Sequence, residues 1–277
     1  MKKILPAVAA SAAALLALSG CGGDDPDAVS EVDGVQLVTA GKLTLCSDIP
    51  YEPFEFVEDG ENVGFDIDLA QATADSMGVE LEVITTAFEA IQSGSALDTG
   101  QCDIALSGMT ITEERQTQMD FSKPYLKDNL ALMTKKDSDV ESIEDIQGEE
   151  AGVQQATTGE TYATDNGVTP VQFEDAGLMT QGIQSGQVNA VIANISTIFA
   201  ATESDDSLHL VEEFDTGEVI GAAVKKDNTA MLEQFEATVT ELRDSGEYDA
   251  IVDQWFGEVA DAARLSAEEA DEGPASE

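Results

Sequence analysis

The sequence predicts an α/β protein with mainly parallel sheets. Three observations carry that class. Short apolar stretches of strand length alternate with amphipathic stretches of helical spacing through most of the chain. Glycines stand just past several helical stretches, where a left-handed residue closes the last turn. Hydrophobic residues make up 42% of the 277 residues, enough apolar material for a sizeable core. The length accommodates one large domain or two modest ones.

The elements follow in order. Lys42–Ser47 alternates and reads as a strand. Residues 66–77 carry Ile67, Ala70, Ala74 and Met77 at helical spacing, with Asp66 able to cap the start and Gly78 the end. Val79, Leu81 and Val83 alternate in the next strand, and residues 103–107 form a short buried one. Residues 151–155, 171–173 and 189–193 repeat the strand pattern with helical stretches between them, and 219–225 is another strand. A long helix then puts Leu232, Phe235, Val239 and Leu242 on one face and ends at Gly246. A short last helix sets Tyr248, Ile251 and Trp255 on one side. In such folds ligands bind at the carboxyl ends of strands. There is no glycine-rich dinucleotide fingerprint and no P-loop, so nucleotide chemistry has no support.

The ends of the chain read differently from its body. Lys2 and Lys3 precede an apolar run over residues 4–18, followed by Leu18-Ser19-Gly20-Cys21. The run is short for a bilayer span and ends in small residues, as an export signal does. Its last four residues resemble the lipobox of bacterial lipoproteins, in which the cysteine carries the lipid; a plain secretory signal is the alternative. Residues 1–20 are then the signal peptide, 21–41 a flexible tether with paired glycines, a proline and several acids, and 258–277 a disordered acidic tail.

Twelve Lys and Arg stand against 56 Asp and Glu, a formal net charge of -44. Such a surface repels phosphate backbones and anionic headgroups, which excludes nucleic acid and leaves membrane contact to an anchor. It suits salty surroundings, where screening relieves self-repulsion; a merely acidic proteome is the other reading. Cys46 and Cys102 could form one disulfide outside the cytoplasm. If their strands are parallel neighbours in register, the stagger argues against a bridge, so buried free thiols stay open. One histidine, His209, in a polar stretch that reads as surface, and two separated cysteines make no metal cluster. No metal and no cofactor are expected.

Two strand ends share a design. Residues 103–110 lead from a strand into Thr110-Ile-Thr-Glu113, and residues 152–157 lead from a second strand into Thr157-Thr-Gly-Glu160. Each has the pattern of a capping box at a helix start. Helix starts present free backbone N–H groups and attract carboxylates. Arg115 lies five residues past Thr110, and its guanidinium can hold a carboxylate by two parallel hydrogen bonds. Plain helix capping beside a surface arginine is the competing reading.

The segments Tyr51-Glu-Pro-Phe-Glu-Phe56, Val63-Gly-Phe-Asp-Ile-Asp-Leu-Ala70, Gly108-Met-Thr-Ile-Thr-Glu-Glu-Arg115 and Asp120-Phe-Ser-Lys-Pro-Tyr125 follow one another in the first half. Gly152-Val-Gln-Gln-Ala-Thr-Thr-Gly-Glu160, Ser185-Gly-Gln-Val-Asn-Ala190, Asp244-Ser-Gly-Glu-Tyr248 and Trp255-Phe-Gly257 follow in the second. In this order they resemble the family 3 periplasmic solute-binding proteins, the amino-acid type that serves ABC importers, from about Gly41 to Gly257. The resemblance implies a two-lobed periplasmic-binding-protein fold (type II), two mainly parallel sheets joined by two hinge strands. Lobe 1 would be residues 42–127 and 218–257, and lobe 2 residues 128–217, with hinges near 127–129 and 216–218.

The same resemblance implies residue roles. Arg115 would clamp a ligand α-carboxylate, helped by Thr110 and the N–H groups of Thr157 or Thr158. Ser107 and Gly108 would offer contacts near the amine. Tyr51 and Phe88 would stack on the apolar part, and Asp48 would meet a polar or cationic side chain. Two departures bear on specificity. Asn194 stands where the family usually has an acid for the ligand's ammonium, and an asparagine bond is roughly half as strong as a charge-assisted one. Asp48 is the obvious acid to compensate. Ala156 replaces the usual glycine of the second-lobe turn. The expected function is capture of a polar amino acid or related small zwitterion and delivery to a membrane permease, by a monomer held to the outer face of the cell membrane by lipid on Cys21. The alternatives are a binder of another zwitterion such as ectoine, a cyclic-acid dehydratase on the same fold, or a tethered sensor. The dehydratase needs acid-base groups in the cleft, where Asp48 is the one acid expected.

Overall fold

The computed structural model describes residues 30–32, 34–266 and 269–270. The expected signal segment, Cys21 and part of the acidic tail lie outside them. In chain order the elements are β1 (Ser30–Val32), β2 (Val35–Leu37), β3 (Lys42–Ser47), β4 (Phe56–Glu58), β5 (Glu61–Val63), α1 (Phe65–Met77), β6 (Glu80–Thr85), α2 (Phe88–Gln92), α3 (Ser95–Asp98) and β7 (Ile104–Ala105). Then come α4 (Glu113–Gln118), β8 (Met119–Phe121), β9 (Leu126–Lys127), β10 (Leu130–Lys135), β11 (Glu150–Gln154), α5 (Thr158–Asp165), β12 (Thr169–Phe173), α6 (Ala176–Ser185) and β13 (Ala190–Asn194). The chain ends with α7 (Ile195–Ser204), β14 (Leu208–Phe214), β15 (Val219–Ile220), β16 (Ala223–Lys225), α8 (Thr229–Ser245), α9 (Glu247–Phe256) and α10 (Ala260–Ala263).

Two five-stranded sheets organise these elements, one ordered β6-β3-β7-β16-β8 and the other β12-β11-β13-β10-β14. Each sheet is mixed rather than mainly parallel. Strand β3 runs parallel to β6 and β7, but β16 pairs antiparallel with β7 and β8. In the second sheet β11 runs parallel to β12 and β13, while β10 is antiparallel to β13 and β14. The antiparallel strands are those that enter or leave a sheet by the crossing segments. Strand β9 leads out of the first sheet into β10, and β15, paired antiparallel with β9, leads back into β16. The strand expected over 219–225 is broken there. Gly221 N–H donates to Met109 O, and a Cβ at Gly221 would lie 2.7 Å from Ile111 Cδ1.

The first core is aromatic. Phe65 is fully buried, and its ring lies 5.1 Å from Phe256, 5.9 Å from Tyr125, 6.0 Å from Tyr248 and 6.3 Å from Phe54. Helix α1 can deliver that ring because Gly64 precedes it with φ 134; a Cβ there would meet Phe54 O at 2.1 Å. The helix carries no side-chain cap. Asp66, expected to cap it, is instead fully buried and accepts from Gly108 N–H at 2.8 Å and Tyr125 Oη at 2.8 Å. The expected stop holds: Gly78 is left-handed at φ 67 and closes the last turn. Leu130, Leu132, Ile143, Val153, Ala163 and Ile192 belong to a second core, between the second sheet and its helices.

Other expectations change at the ends. Part of the stretch read as tether is folded: β1 and β2 form a hairpin, and Val35 and Leu37 are buried in the first core. Part of the stretch read as a disordered tail is folded as well, since Ala260 and Ala263 of α10 are buried and Glu269 pairs with Lys127 at 3.1 Å. His209 is half-buried on β14 rather than on the surface, and its Nδ1 has no hydrogen-bond partner. Cys46 and Cys102 are bridged, with Cα atoms 5.7 Å apart. The expected stagger does not keep them apart, because Cys102 lies outside β7. Cys46 is level with Ala105, and the turn before β7 brings the chain back so that Asp103 N–H donates to Thr44 O at 3.0 Å. Among the described residues no helix is long and apolar enough to cross a membrane, and no group of three side chains could hold a metal.

Candidate functional site

Four parallel strands end at one place. Strand β3 delivers Asp48, β7 delivers Ser107 and Gly108, β11 delivers Gln154, and β13 delivers Asn194. Parallel strands end with their carboxyl ends on one side, where side chains leave the sheet and a binding crevice forms. Here two such sheets face each other and are joined by hydrogen bonds. Gln154 Nε2 donates to Asp48 Oδ2 at 2.5 Å, and Tyr51 Oη donates to Asn194 Oδ1 at 2.9 Å. Arg115 Nη2 donates to Ala156 O at 3.1 Å. The lobes are in a closed arrangement.

Arg115 is the cation of the site. It comes from the short helix α4 and is only 4% exposed. Its Nη1 donates to Thr110 O at 2.8 Å, and its guanidinium carbon lies 5.1 Å from the centre of the Phe88 ring. Burial pulls it down to about 10, opposed by the charge of Glu218 nearby, so it stays protonated at neutral pH. A guanidinium has five N–H donors in a fixed fork, and two are used here, which leaves donors for a carboxylate. The nearby backbone adds more. The first N–H groups of α5, from Thr158 on, have no intrahelical acceptor.

The threonines divide their work differently from the expectation. Helix α4 is capped by Thr112, whose Oγ1 accepts from Arg115 N–H at 3.2 Å. Thr110 is therefore not a cap; its hydroxyl donates to Glu218 Oε2 at 2.7 Å. Thr157 does cap α5, accepting from Glu160 N–H at 3.3 Å, while the Glu160 carboxylate reaches past it to Ala156 N–H at 2.7 Å. The turn that permits this holds Ala156 at φ 64, a left-handed conformation that an L side chain adopts at some cost. Thr158 Oγ1 donates to Glu218 Oε2 at 2.8 Å. One carboxylate oxygen thus collects a hydroxyl from each lobe.

Burial governs the acids. It pushes Asp48 up to about 7, with the Gln154 amide pulling back and Asp175 and Glu174 adding to the rise. Glu218 is raised by burial too, against the pull of the Thr110 and Thr158 hydroxyls, Arg115 and the Asn194 amide. Asp128 is pushed up to about 7 by burial, and both of its oxygens are taken by Ser196 at the start of α7. Behind Ser107 lies a further pair. Glu55 and Asp66 are fully buried; burial and its Asp66 neighbour push Glu55 well up, and Ser107 Oγ donates to it.

Of the side chains expected at the site, Asp48, Tyr51, Ser107, Gly108, Thr110, Arg115, Thr157, Thr158 and Asn194 are brought to the interlobe face. Phe88 lies beneath Arg115, packed with Ile91 and the Cys46–Cys102 bridge. Gly108 has φ 51, and a Cβ there would sit 2.6 Å from the Tyr51 ring, so the close approach of ring and backbone requires glycine. Sequence reasoning missed Gln154, Glu218 and Thr197, whose buried hydroxyl has no hydrogen-bond partner. Gln154 was findable, as it ends a parallel strand. Glu218 joins Asp48 as an acid at the cleft, where Asp48 alone was expected. A cavity of about 470 Å³ opens along Arg115, Thr157, Thr158 and Glu218.

Comparison with known proteins gives the family and the fold. The arginine-binding extracellular protein ArtP of Bacillus subtilis is 31% identical over 221 residues, covering 78% of this chain and 86% of its own. The arginine-binding periplasmic protein of Mannheimia haemolytica is 32% identical over 75% of this chain and 88% of its own. Among solved structures, an ancestral arginine-binding protein bound to arginine superposes with a TM-score of 0.73 at 37% identity, covering 78% of this chain and 99% of that one. An ancestral amino-acid-binding protein described as a precursor of cyclohexadienyl dehydratase gives 0.73 at 32% identity, covering 78% and 96%. Residues 43–258 match the model of one family, and the chain belongs to it: the bacterial extracellular solute-binding proteins, family 3.

Proposed function

We propose that this protein captures an amino acid with a cationic side chain between its lobes and delivers it to the membrane permease of an ABC importer. The observation that carries this reading is the charge layout of the closed cleft. Arg115, on α4, offers a buried guanidinium for an α-carboxylate, and Asp48, at the end of β3, offers a buried carboxylate for a second charge on the ligand. A ligand that is anionic at one end and cationic at the other satisfies both, and buried charges demand such pairing. The arginine-binding relatives support the same ligand class.

Closure serves this task. A ligand bridging Arg115 and Asp48 stabilises the state in which both lobes touch it, and shedding water strengthens each polar contact. Tyr51 supplies an apolar flank, and Phe88 backs the guanidinium. Lipid on Cys21 would keep the receptor at the outer face of the membrane beside its permease. The acidic surface would keep it soluble in salt.

The test is thermal unfolding with each L-amino acid, ectoine and betaine in turn. Arginine, lysine or ornithine should raise the midpoint, since a ligand at a hundredfold excess over its Kd adds about 2.7 kcal/mol. A rise with glutamate or with ectoine alone would reject a cationic ligand. Turnover of a cyclic acid would reject a pure binding role.

A further inference from the structure

We propose that Glu218 is the specificity-determining residue that receives the ligand's α-ammonium. The inference rests on the amino-acid reading above, because an α-ammonium sits one carbon away from the carboxylate that Arg115 holds. Whatever receives it must therefore lie beside the clamp formed by Arg115, Thr110 and Thr158.

The acids around the cleft can be sorted by their bonds. Asp128 has both oxygens committed to Ser196. Glu55 and Asp66 lie fully buried behind Ser107 and Gly108. Asp48 bonds Gln154 and none of the clamp residues. Glu218 alone bonds both clamp hydroxyls, Thr110 and Thr158, and it uses a single oxygen, Oε2, for both. Asn194 adds a side-chain hydrogen bond to the same carboxylate, and three donors on a group with about four acceptor sites leave room for one more. Its backbone is held as well, with Glu218 N–H donating to Asn129 Oδ1 at 3.1 Å in the crossing segment.

Asn194 completes the argument. Its Oδ1 accepts from Tyr51, and its Nδ2 donates to Asp128 O at 2.7 Å, so its amide is committed on both sides. The side chain is neutral, and it also makes a side-chain hydrogen bond to the Glu218 carboxylate. An aspartate at 194 would set a second carboxylate beside Glu218, and like charges in one buried site drive one of them to take up a proton. The negative charge of this subsite comes from the crossing segment, and the neutral side chain at position 194 sets no second carboxylate beside it.

Isothermal calorimetry on the full chain decides it, with L-arginine and its desamino analogue 5-guanidinopentanoate as probes. Glu218→Gln keeps an oxygen to accept both threonine hydroxyls and removes the charge. It should weaken L-arginine by about tenfold or more, the lower end for a hydrogen bond to a charged group, and leave the desamino analogue within threefold. Glu218→Gln combined with Asn194→Asp should recover most of the L-arginine affinity. Unchanged L-arginine binding in Glu218→Gln would overturn the proposal. So would equal losses for both probes, which would mark Glu218 as part of the closure alone. If the unaltered chain binds an amino acid without a cationic side chain instead, the cationic reading fails, and the same comparison with that amino acid and its desamino acid judges Glu218. If no amino acid binds, both readings fall.

Discussion

Replacing Arg115 by alanine gives the most direct test of the clamp. The side chain is 4% exposed and donates to two backbone carbonyls, Thr110 O and Ala156 O. Its loss leaves the ligand carboxylate in a closed, dry site without its cation. Truncating one partner of a buried, hydrogen-bonded charge pair costs about 2–5 kcal/mol. At 1.4 kcal/mol per decade, Kd should rise from about 30-fold to several thousand-fold. The fold should suffer less. Two carbonyls lose a donor, at about 1–3 kcal/mol for each that stays dry, but a desolvated guanidinium also disappears, which offsets part of that cost. Arg115→Lys separates charge from geometry: it keeps the charge but cannot present two parallel N–H bonds, so its Kd should fall between wild type and alanine. Calorimetric titration with L-arginine reads the affinity, and circular dichroism melting checks the fold. A folded Arg115→Ala protein with Kd within threefold of wild type would refute the clamp.

Four further outcomes follow from the structure. Asp48, pushed up to about 7 by burial, must ionise to meet a cation; it is about 3% ionised at pH 5.5 and about 90% at pH 8, so L-arginine should bind up to about 30-fold tighter at pH 8, and Asp48→Asn should flatten that profile. The Cys46–Cys102 bridge closes a loop of 56 residues, worth about 4 kcal/mol on the loop-entropy estimate; replacing both cysteines by alanine should lower the urea midpoint accordingly, and an unchanged midpoint would refute the estimate. Ala156→Gly relieves the left-handed alanine at φ 64, so the thermal midpoint should rise on a gain of about 1 kcal/mol, and a fall would show that the methyl is needed. With 56 acids against 12 cations, raising KCl from 0.1 to 2 M should raise the midpoint as the screening length shrinks from about 10 Å to about 3 Å or less; a flat response would remove the salt-adapted reading of the surface.

The parts legible in the sequence were those that local rules control. The end of β3 at Ser47, the left-handed stops at Gly78 and Gly246, and the cap at Thr157 each follow from residues a few positions apart. Arg115 was legible because so acidic a chain carries few cations. The failures share a different cause. Asp66 looks like a cap until Gly108 N–H and the Tyr125 hydroxyl, 42 and 59 residues away, claim its oxygens. Thr110 looks like a cap until Glu218, 108 residues away, accepts its proton. The stagger of Cys46 and Cys102 assumes a straight strand where the chain turns at Asp103.

A threonine before a helix presents the same donor whether it caps the helix or faces a cleft. Local sequence supplies that donor, and the fold decides its acceptor. At Thr112 and Thr157 the nearest unpaired N–H group lies three residues on in the same helix, so the side chain turns inward to it. At Thr110 the helix has not yet begun, because Thr112 has taken the cap. Its hydroxyl is left facing the crossing segment, and Thr158 of the other lobe faces the same way. Two hydroxyls left over by helix capping on opposite lobes thereby converge on one carboxylate. That convergence needs both crossing segments in place, since Asn129 of one holds Glu218 of the other, so it is a property of lobe closure rather than of either lobe alone.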